Sequence, residues 1–241
     1  MAIPMYGKTF NLQSPNKRLQ VTVVSGESLT WSILHDSKEV MRQSQIDINN
    51  AYQGKASASV VKNHKISFAT PFYRQKSVTT EYNELTLLLG RGWSVVFRAF
   101  DEGVAYRFQC KGKVPAIISD EKAEFHFNGD SQSWLSFTTN DKKPEAMAFQ
   151  NIYDQKPLGE AKDKIAFLPA TVANGSVKLT ILESDLRAYP GMFVKKSADG
   201  ESLEGWFARY PKTFDKYPWR QQRYVTSTED FIARTNGKLF Q

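Results

Sequence analysis

Leu19, Val21 and Val23 alternate with Gln20, Thr22 and Val24, and after Ser25-Gly26-Glu27 the chain runs back through Leu29-Thr-Trp-Ser-Ile-Leu34. A period of two marks strands with one face in a core, and two such runs parted by a short polar segment predict an antiparallel hairpin. A second turn at His35-Asp-Ser-Lys38 leads into Glu39-Val-Met41 and the alternating Ile46 and Ile48. The same pattern predicts strands at 58–61, 84–89, 93–100, 104–110, 124–127, 164–168, 177–182 and 192–195, separated by Gly, Pro, Asn or Asp. Many short strands with almost no helical periodicity predict an all-β sandwich or barrel.

The stretch Arg98-Ala-Phe-Asp-Glu-Gly-Val-Ala-Tyr-Arg-Phe108 joins two of these strands, with Asp101-Glu102-Gly103 as the turn and Gly103 available for a positive φ. Arg98 and Arg107 sit similar distances from the turn, so pairing brings them close together. Two neighbouring guanidiniums repel unless an acceptor serves them, and they read as braces whose stems cover apolar surface.

Residues 128–159 break the pattern: polar and irregular, they carry Trp134, Phe137, Phe149 and Tyr153 and read as long aromatic loops, the usual seat of binding on a β scaffold. One short helix is predicted near the C-terminus, where Thr226-Ser-Thr-Glu229 matches a capping box and Phe231 and Ile232 supply an apolar face. No internal repeat or low-complexity segment is present.

At 241 residues with 41% hydrophobic side chains, the chain has material for one large β domain over 1–241. No apolar run is long enough to span a membrane. The net charge of +7 is scattered in ones and twos, without the basic block of a nucleic-acid tail, so no nucleic-acid partner is expected. The aromatic and basic cluster from Lys212 to Tyr224 reads as a packing loop rather than a single-strand binding groove. Cys110, the single cysteine, ends an apolar strand and reads as a buried thiol.

The three histidines are far apart and lack metal-ligand spacing, and no nucleophile elbow or phosphate loop appears. Glycoside hydrolysis asks for two carboxylates across a sugar ring, about 5 to 10 Å apart. Asp101 and Glu102 are adjacent in a turn and point apart. Glu183 and Asp185, two apart at a strand end, suit either a hard cation such as Ca²⁺ or plain solvation ahead of the Tyr189-Pro190-Gly191 turn.

Leu12-Gln-Ser-Pro-Asn-Lys-Arg-Leu19, Tyr73-Arg-Gln-Lys-Ser77, Tyr82-Asn-Glu-Leu85, the Arg98 to Phe108 hairpin, Glu183-Ser-Asp-Leu186 with Tyr189-Pro-Gly-Met192, and Arg223-Tyr-Val225 with Phe231-Ile-Ala-Arg-Thr-Asn-Gly237 occur in this order. Together they resemble the N-terminal domain of glycoside hydrolase family 97, a family of α-glucosidases and α-galactosidases of Bacteroides. The resemblance implies a large antiparallel β-super-sandwich of the galactose mutarotase type. It also implies a partner, a (β/α)₈ barrel of the same parent chain that holds the catalytic carboxylates, with residues from about 223 to 241 leading toward the linker.

By the same resemblance the domain is non-catalytic, braces the barrel beside an α-linked oligosaccharide, and lends Glu183 to a Ca²⁺ ion in the full-length enzyme. A periplasmic or secreted location follows from the family. Where the family's aromatic loop is expected to carry a Tyr-Glu pair, this chain has Phe149-Gln-Asn-Ile-Tyr153. The alternative of another class is a free-standing carbohydrate-binding module in which Trp134, Asn151 and Tyr153 face the sugar. A mutarotase-like epimerase, using histidine with a carboxylate, is a third.

Overall fold

The structure is a computed structural model that describes residues 7–58, 61–72, 74–111, 115, 117–140, 151–184, 186, 189–219 and 221–235. Its backbone packs into two compact units, one drawn mainly from the chain up to Ile46 and from Asn50 to Val114, the other from Asp47–Asn49 and Pro115–Asn236.

In the first unit β1 (Lys8–Gln13), β2 (Leu19–Ser25), β3 (Leu29–His35) and β4 (Lys38–Ile48) form an antiparallel meander. The tight turn between β3 and β4 places Asp36 and Ser37 at positive φ, as a two-residue hairpin requires. A second sheet holds β5 (Ser57–Ala58), β6 (Lys62–Ala69), β7 (Ser77–Gly90), β8 (Trp93–Phe100) and β9 (Val104–Cys110), ordered β5-β7-β8-β9 with β6 also on β7. The period-2 residues meet between the two sheets. Trp31 of β3 lies 5.8 Å from Phe97 and 5.3 Å from Tyr106, ring to ring, over buried Leu85, Leu87 and Val95. Aromatic pairs at these spacings add contact energy to the area they bury, which makes this unit a sandwich.

The β8–β9 hairpin forms as its pattern predicts, pairing Val96 with Arg107 and Arg98 with Ala105. Gly103 does not take the positive φ expected of it; the turn closes with the Phe100 N–H donating to the Gly103 carbonyl at 2.8 Å. Arg98 and Arg107 share one face, and each has an acceptor. Arg98 Nε donates to Glu84 Oε2 at 2.8 Å with its guanidinium 4.7 Å from the Tyr82 ring centre. In the amide orientation that satisfies both groups, the Gln109 side-chain oxygen accepts from Arg107 Nη2 at 2.9 Å and Nε at 3.1 Å. Cys110 is buried, as its strand position implied.

In the second unit β10 (Ile117–Ile118), β11 (Glu121–His126), β12 (Gln132–Phe137), β13 (Asp154–Pro157), β14 (Ile165–Asn174), β15 (Val177–Ile181), β16 (Met192–Lys196) and β17 (Ser202–Phe207) precede β18 (Pro211–Lys216), β19 (Arg223–Thr228) and β20 (Ala233–Arg234). The main sheet runs β11-β17-β16-β14-β12-β13, with β15 hairpinned onto β14. Its core gathers Phe125, Phe127, Leu135, Val172, Val194 and Leu203.

Three expectations are corrected here. Trp134 and Phe137 lie in β12, not in a loop; β12 pairs with β13 and β14, and among the described residues of the supposed loop only some, including Tyr153, are irregular. Phe149 falls outside the described residues. The C-terminal helix does not form among the described residues: Thr226, Ser227 and Thr228 belong to β19, and the Thr213 hydroxyl meets those of Thr226 and Ser227 at 2.6 Å across the ribbon. β-branched Val225, Thr226 and Thr228 favour a pleated strand, and hydroxyls spent across strands are not available to cap a helix. The 212–224 cluster is likewise a two-stranded ribbon, with Phe214 and Trp219 exposed and Tyr217 packed 4.8 Å from Tyr224.

Among the described residues no α-helix forms, and one 3-10 turn spans Leu158–Glu160. Among these residues no helix is long and apolar enough to cross a membrane.

Candidate functional site

Glu183 sits just past β15, in the connection to β16. The connection folds back so that Glu183 Oε2 accepts the Met192 N–H at 2.6 Å, at the first residue of β16. Tyr189 lies between them in sequence, its ring edge against Phe207 at 6.0 Å, and its hydroxyl donates to Glu121 Oε2 at 2.5 Å. Two carboxylates from distant parts of the chain therefore converge on the Tyr189-Pro-Gly-Met192 segment. Asp185, the neighbour paired with Glu183 in the sequence reading, lies outside the described residues.

The electrostatics of this pair are unusual. Burial raises the Glu183 carboxyl above its ordinary range, and the Met192 N–H offsets part of that. Burial pushes Glu121 further, to about 7, against the opposing Tyr189 hydrogen bond and with repulsion from Glu183 and Asp120 added. Among the described residues neither carboxylate has a lysine, arginine or histidine within ion-pair distance. Desolvated acids without a basic partner hold their protons or await a cation. Leu182 and Leu186, 67% and 54% exposed, flank Glu183 with apolar surface.

Two carboxylates do not make a calcium shell, since Ca²⁺ takes six to eight oxygens, and no group of three or more metal-ligating side chains occurs among the described residues. The residues fit the ion as part of a shell: hard oxygen donors, partly desolvated and lacking a counter-charge. Glu121 escapes detection in the sequence because Asp120-Glu121-Lys122 reads as a polar strand start.

The aromatic candidates are partly brought together. Trp134 and Tyr153, with Thr171 and Lys178, line an open cavity of about 350 Å³ on the β12–β14 face. Lys178 Nζ stands 4.8 Å from the Trp134 ring centre and occupies that ring's neighbourhood. Tyr153 donates its hydroxyl to the Pro169 carbonyl at 3.2 Å. Asn151 is engaged elsewhere, since its Nδ2 donates to the Phe137 carbonyl at 2.8 Å and its Oδ1 accepts the Ile152 N–H at 2.9 Å.

The histidines stand beside carboxylates other than Glu121 and Glu183, His35 next to Asp36 among them, and none lines the Trp134 cavity. His126 Nε2 is 3.4 Å from Glu201, and His64 Nε2 is 3.9 Å from Glu84 with its ring stacked on Tyr82 at 4.9 Å.

Comparison with known proteins agrees with the fold and with the ordered segments that carry the resemblance. The model of the family described as glycosyl-hydrolase 97 N-terminal matches residues 12–235. A retaining alpha-galactosidase of Bacteroides thetaiotaomicron is 32% identical over 243 residues, which cover 95% of this chain and 37% of that protein. Two solved structures share the fold. A glycoside hydrolase family 97 enzyme of Pseudoalteromonas sp. strain K8, in complex with panose, superposes with a TM-score of 0.67 at 20% identity over 82% of this chain and 32% of its own. A beta-arabinopyranosidase does so with 0.69 at 18% identity, over 83% and 35%. The chain thus spans about a third of the length of these relatives. Matched over nearly all of its length, it belongs to the glycosyl-hydrolase 97 N-terminal family.

Proposed function

We propose that this chain is the supporting, non-catalytic β domain of a glycoside hydrolase acting on α-linked glucosides or galactosides. In this reading it walls one side of the active-site pocket and places Glu183 as one oxygen ligand of a calcium ion. The observation that carries it is the acidic pair Glu121 and Glu183, desolvated, without a basic partner and bordered by exposed Leu182 and Leu186. Exposed leucines around such a carboxylate are what a covering catalytic domain would bury.

When bound, the calcium ion supplies positive charge beside the sugar. The chain's own part is to hold the Glu183 carboxylate in place through the Met192 N–H and to keep water from it with the leucine rim. Acid and base catalysis needs both carboxylates on the substrate, and in this reading they belong to a (β/α)₈ barrel of the parent chain. A periplasmic or secreted setting suits an enzyme that meets oligosaccharides.

The test compares residues 1–241 alone with the parent enzyme. Alone, the domain is expected to give no turnover of aryl α-glucosides or α-galactosides, and steady hydrolysis by it would sink the non-catalytic role. In the parent enzyme Glu183→Gln is expected to weaken Ca²⁺ binding, read by calorimetric titration, by about tenfold or more. Unchanged Ca²⁺ affinity in that variant would refute the ligand role.

A further inference from the structure

The face of the second sheet that points away from the Trp31–Phe97 core carries a cavity of about 550 Å³, wholly within the first unit. Register assembles it in three rows across the strands: Lys62, Glu84 and Arg98; Thr86, Val96 and Arg107; Leu88, Ser94 and Gln109. The floor at Ser94 and Val96 is buried, and Leu88 beside it is 52% exposed. Lys111 closes one end.

Charge does not balance here. Lys62, Arg98, Arg107 and Lys111 face a single acid, Glu84, and that acid is engaged by Arg98 at 2.8 Å. Among the described residues Lys62, Arg107 and Lys111 have no acidic partner. Like charges collected on one sheet face repel, and an anion arriving from solvent relieves the repulsion. The two guanidiniums are already oriented, Arg98 by Glu84 and the Tyr82 ring, Arg107 through Nε and Nη2 by Gln109. Arg107 keeps its Nη1 donors for a further acceptor, and a guanidinium fork fits an oxyanion with two parallel hydrogen bonds.

The remaining lining suits a sugar. Hydroxyls of Thr86 and Ser94 lie alongside the apolar Leu88 and Val96, and a pyranose offers both hydroxyls and an apolar face. The cavity volume is also within the range of about 300 to 1,000 Å³ usual for small-molecule sites.

We propose that this groove binds a sugar-sized ligand bearing an oxyanion, a carboxylate or a sulfate ester, with Arg107 as the main charged contact and Leu88 as the main apolar contact. This binding does not depend on the hydrolase reading.

The experiment is calorimetric titration of the 241-residue chain with methyl glucuronide, glucose 6-sulfate, methyl glucoside and sodium sulfate at low ionic strength. At least one charged sugar is expected to bind saturably with Kd below about 1 mM, and which one responds tells carboxylate from sulfate. Arg107→Ala is expected to weaken that binding at least about tenfold and Arg107→Lys, which keeps charge but loses the fork, by less. Arg107 is exposed, so its truncation leaves the core intact, and circular dichroism checks this. Methyl glucoside and inorganic sulfate are expected to bind at least about tenfold more weakly, because each supplies half of the recognition. The proposal is overturned if neither charged sugar saturates, if Arg107→Ala binds as the unsubstituted chain does, or if the neutral sugar or the free ion binds as tightly.

Discussion

Folding stability of the 241-residue chain is expected to fall by about 3 kcal/mol between pH 5 and pH 8, and Glu121→Gln is expected to remove most of that fall. The Glu121 carboxyl is raised from 4.5 to about 7 in the folded chain. Below its unfolded value it is protonated in both states and contributes nothing. Between the two values the folded chain keeps a proton that the unfolded chain has released, so each step up in pH costs stability. Above about 7 both states are ionised and the full cost of the buried charge is present. Glu183, also raised by burial, acts in the same direction. The carboxyls that are lowered, Asp36 beside Arg18, Asp154 beside Lys162 and Asp199 under Ser197, lose stabilisation only as pH falls below the ordinary carboxylate range. They do not mask the effect. The substituted glutamine retains an oxygen for the Tyr189 hydroxyl and carries no charge. Urea unfolding of both proteins at the two pH values measures it, and parallel profiles would show that Glu121 is not the titrating group.

Gly92→Ala is expected to cost about 4 kcal/mol or more, seen as a drop in the urea midpoint at unchanged slope. Gly92 follows Gly90 and Arg91 in the turn between β7 and β8, all three at positive φ. A Cβ at Gly92 would stand 2.2 Å from the Lys111 carbonyl oxygen. That neighbour is backbone, and the Lys111 N–H donates to the Gly92 carbonyl at 2.9 Å, so relief requires opening the end of the β8–β9 pairing. The strain of a left-handed residue adds about 1 kcal/mol. Gly90→Ala, also at positive φ but with open space where its Cβ would lie, serves as the control and is expected to cost only the conformational part. Equal losses in the two variants would refute the close-approach account.

The period-2 stretches were legible because alternation is a local property of the chain. The 19–25 and 29–35 hairpin, the 93–100 and 104–110 hairpin, and the strands 177–181 and 192–196 lie where their patterns predict. Strands without a clean apolar stripe were not legible. β6 is exposed along almost all its length, and β18 and β19 form an exposed ribbon, so partner strands rather than burial hold them extended. The predicted loop over Trp134 failed for the related reason that Gln132-Ser-Trp-Leu-Ser136 looks polar until β13 and β14 flank it. The capping box at Thr226 failed because cross-strand hydroxyl pairing outcompeted a local cap.

By itself the chain's order of apolar and polar residues determined the fold class, the buried Cys110 and the pairing that puts Arg98 and Arg107 on one face, while its ordered motif segments carried the resemblance to the family. Each of these depends on neighbours within a few residues or on the order of segments. Only the tertiary structure decided which carboxylates act together and which cations stay without an acid. Glu121 and Glu183 converge on the Tyr189–Met192 segment, Glu121 through the Tyr189 hydroxyl and Glu183 through the Met192 N–H, and Glu84 is taken by Arg98 while Arg107 is served by Gln109, because desolvation and charge balance depend on how the folded strands and connections meet.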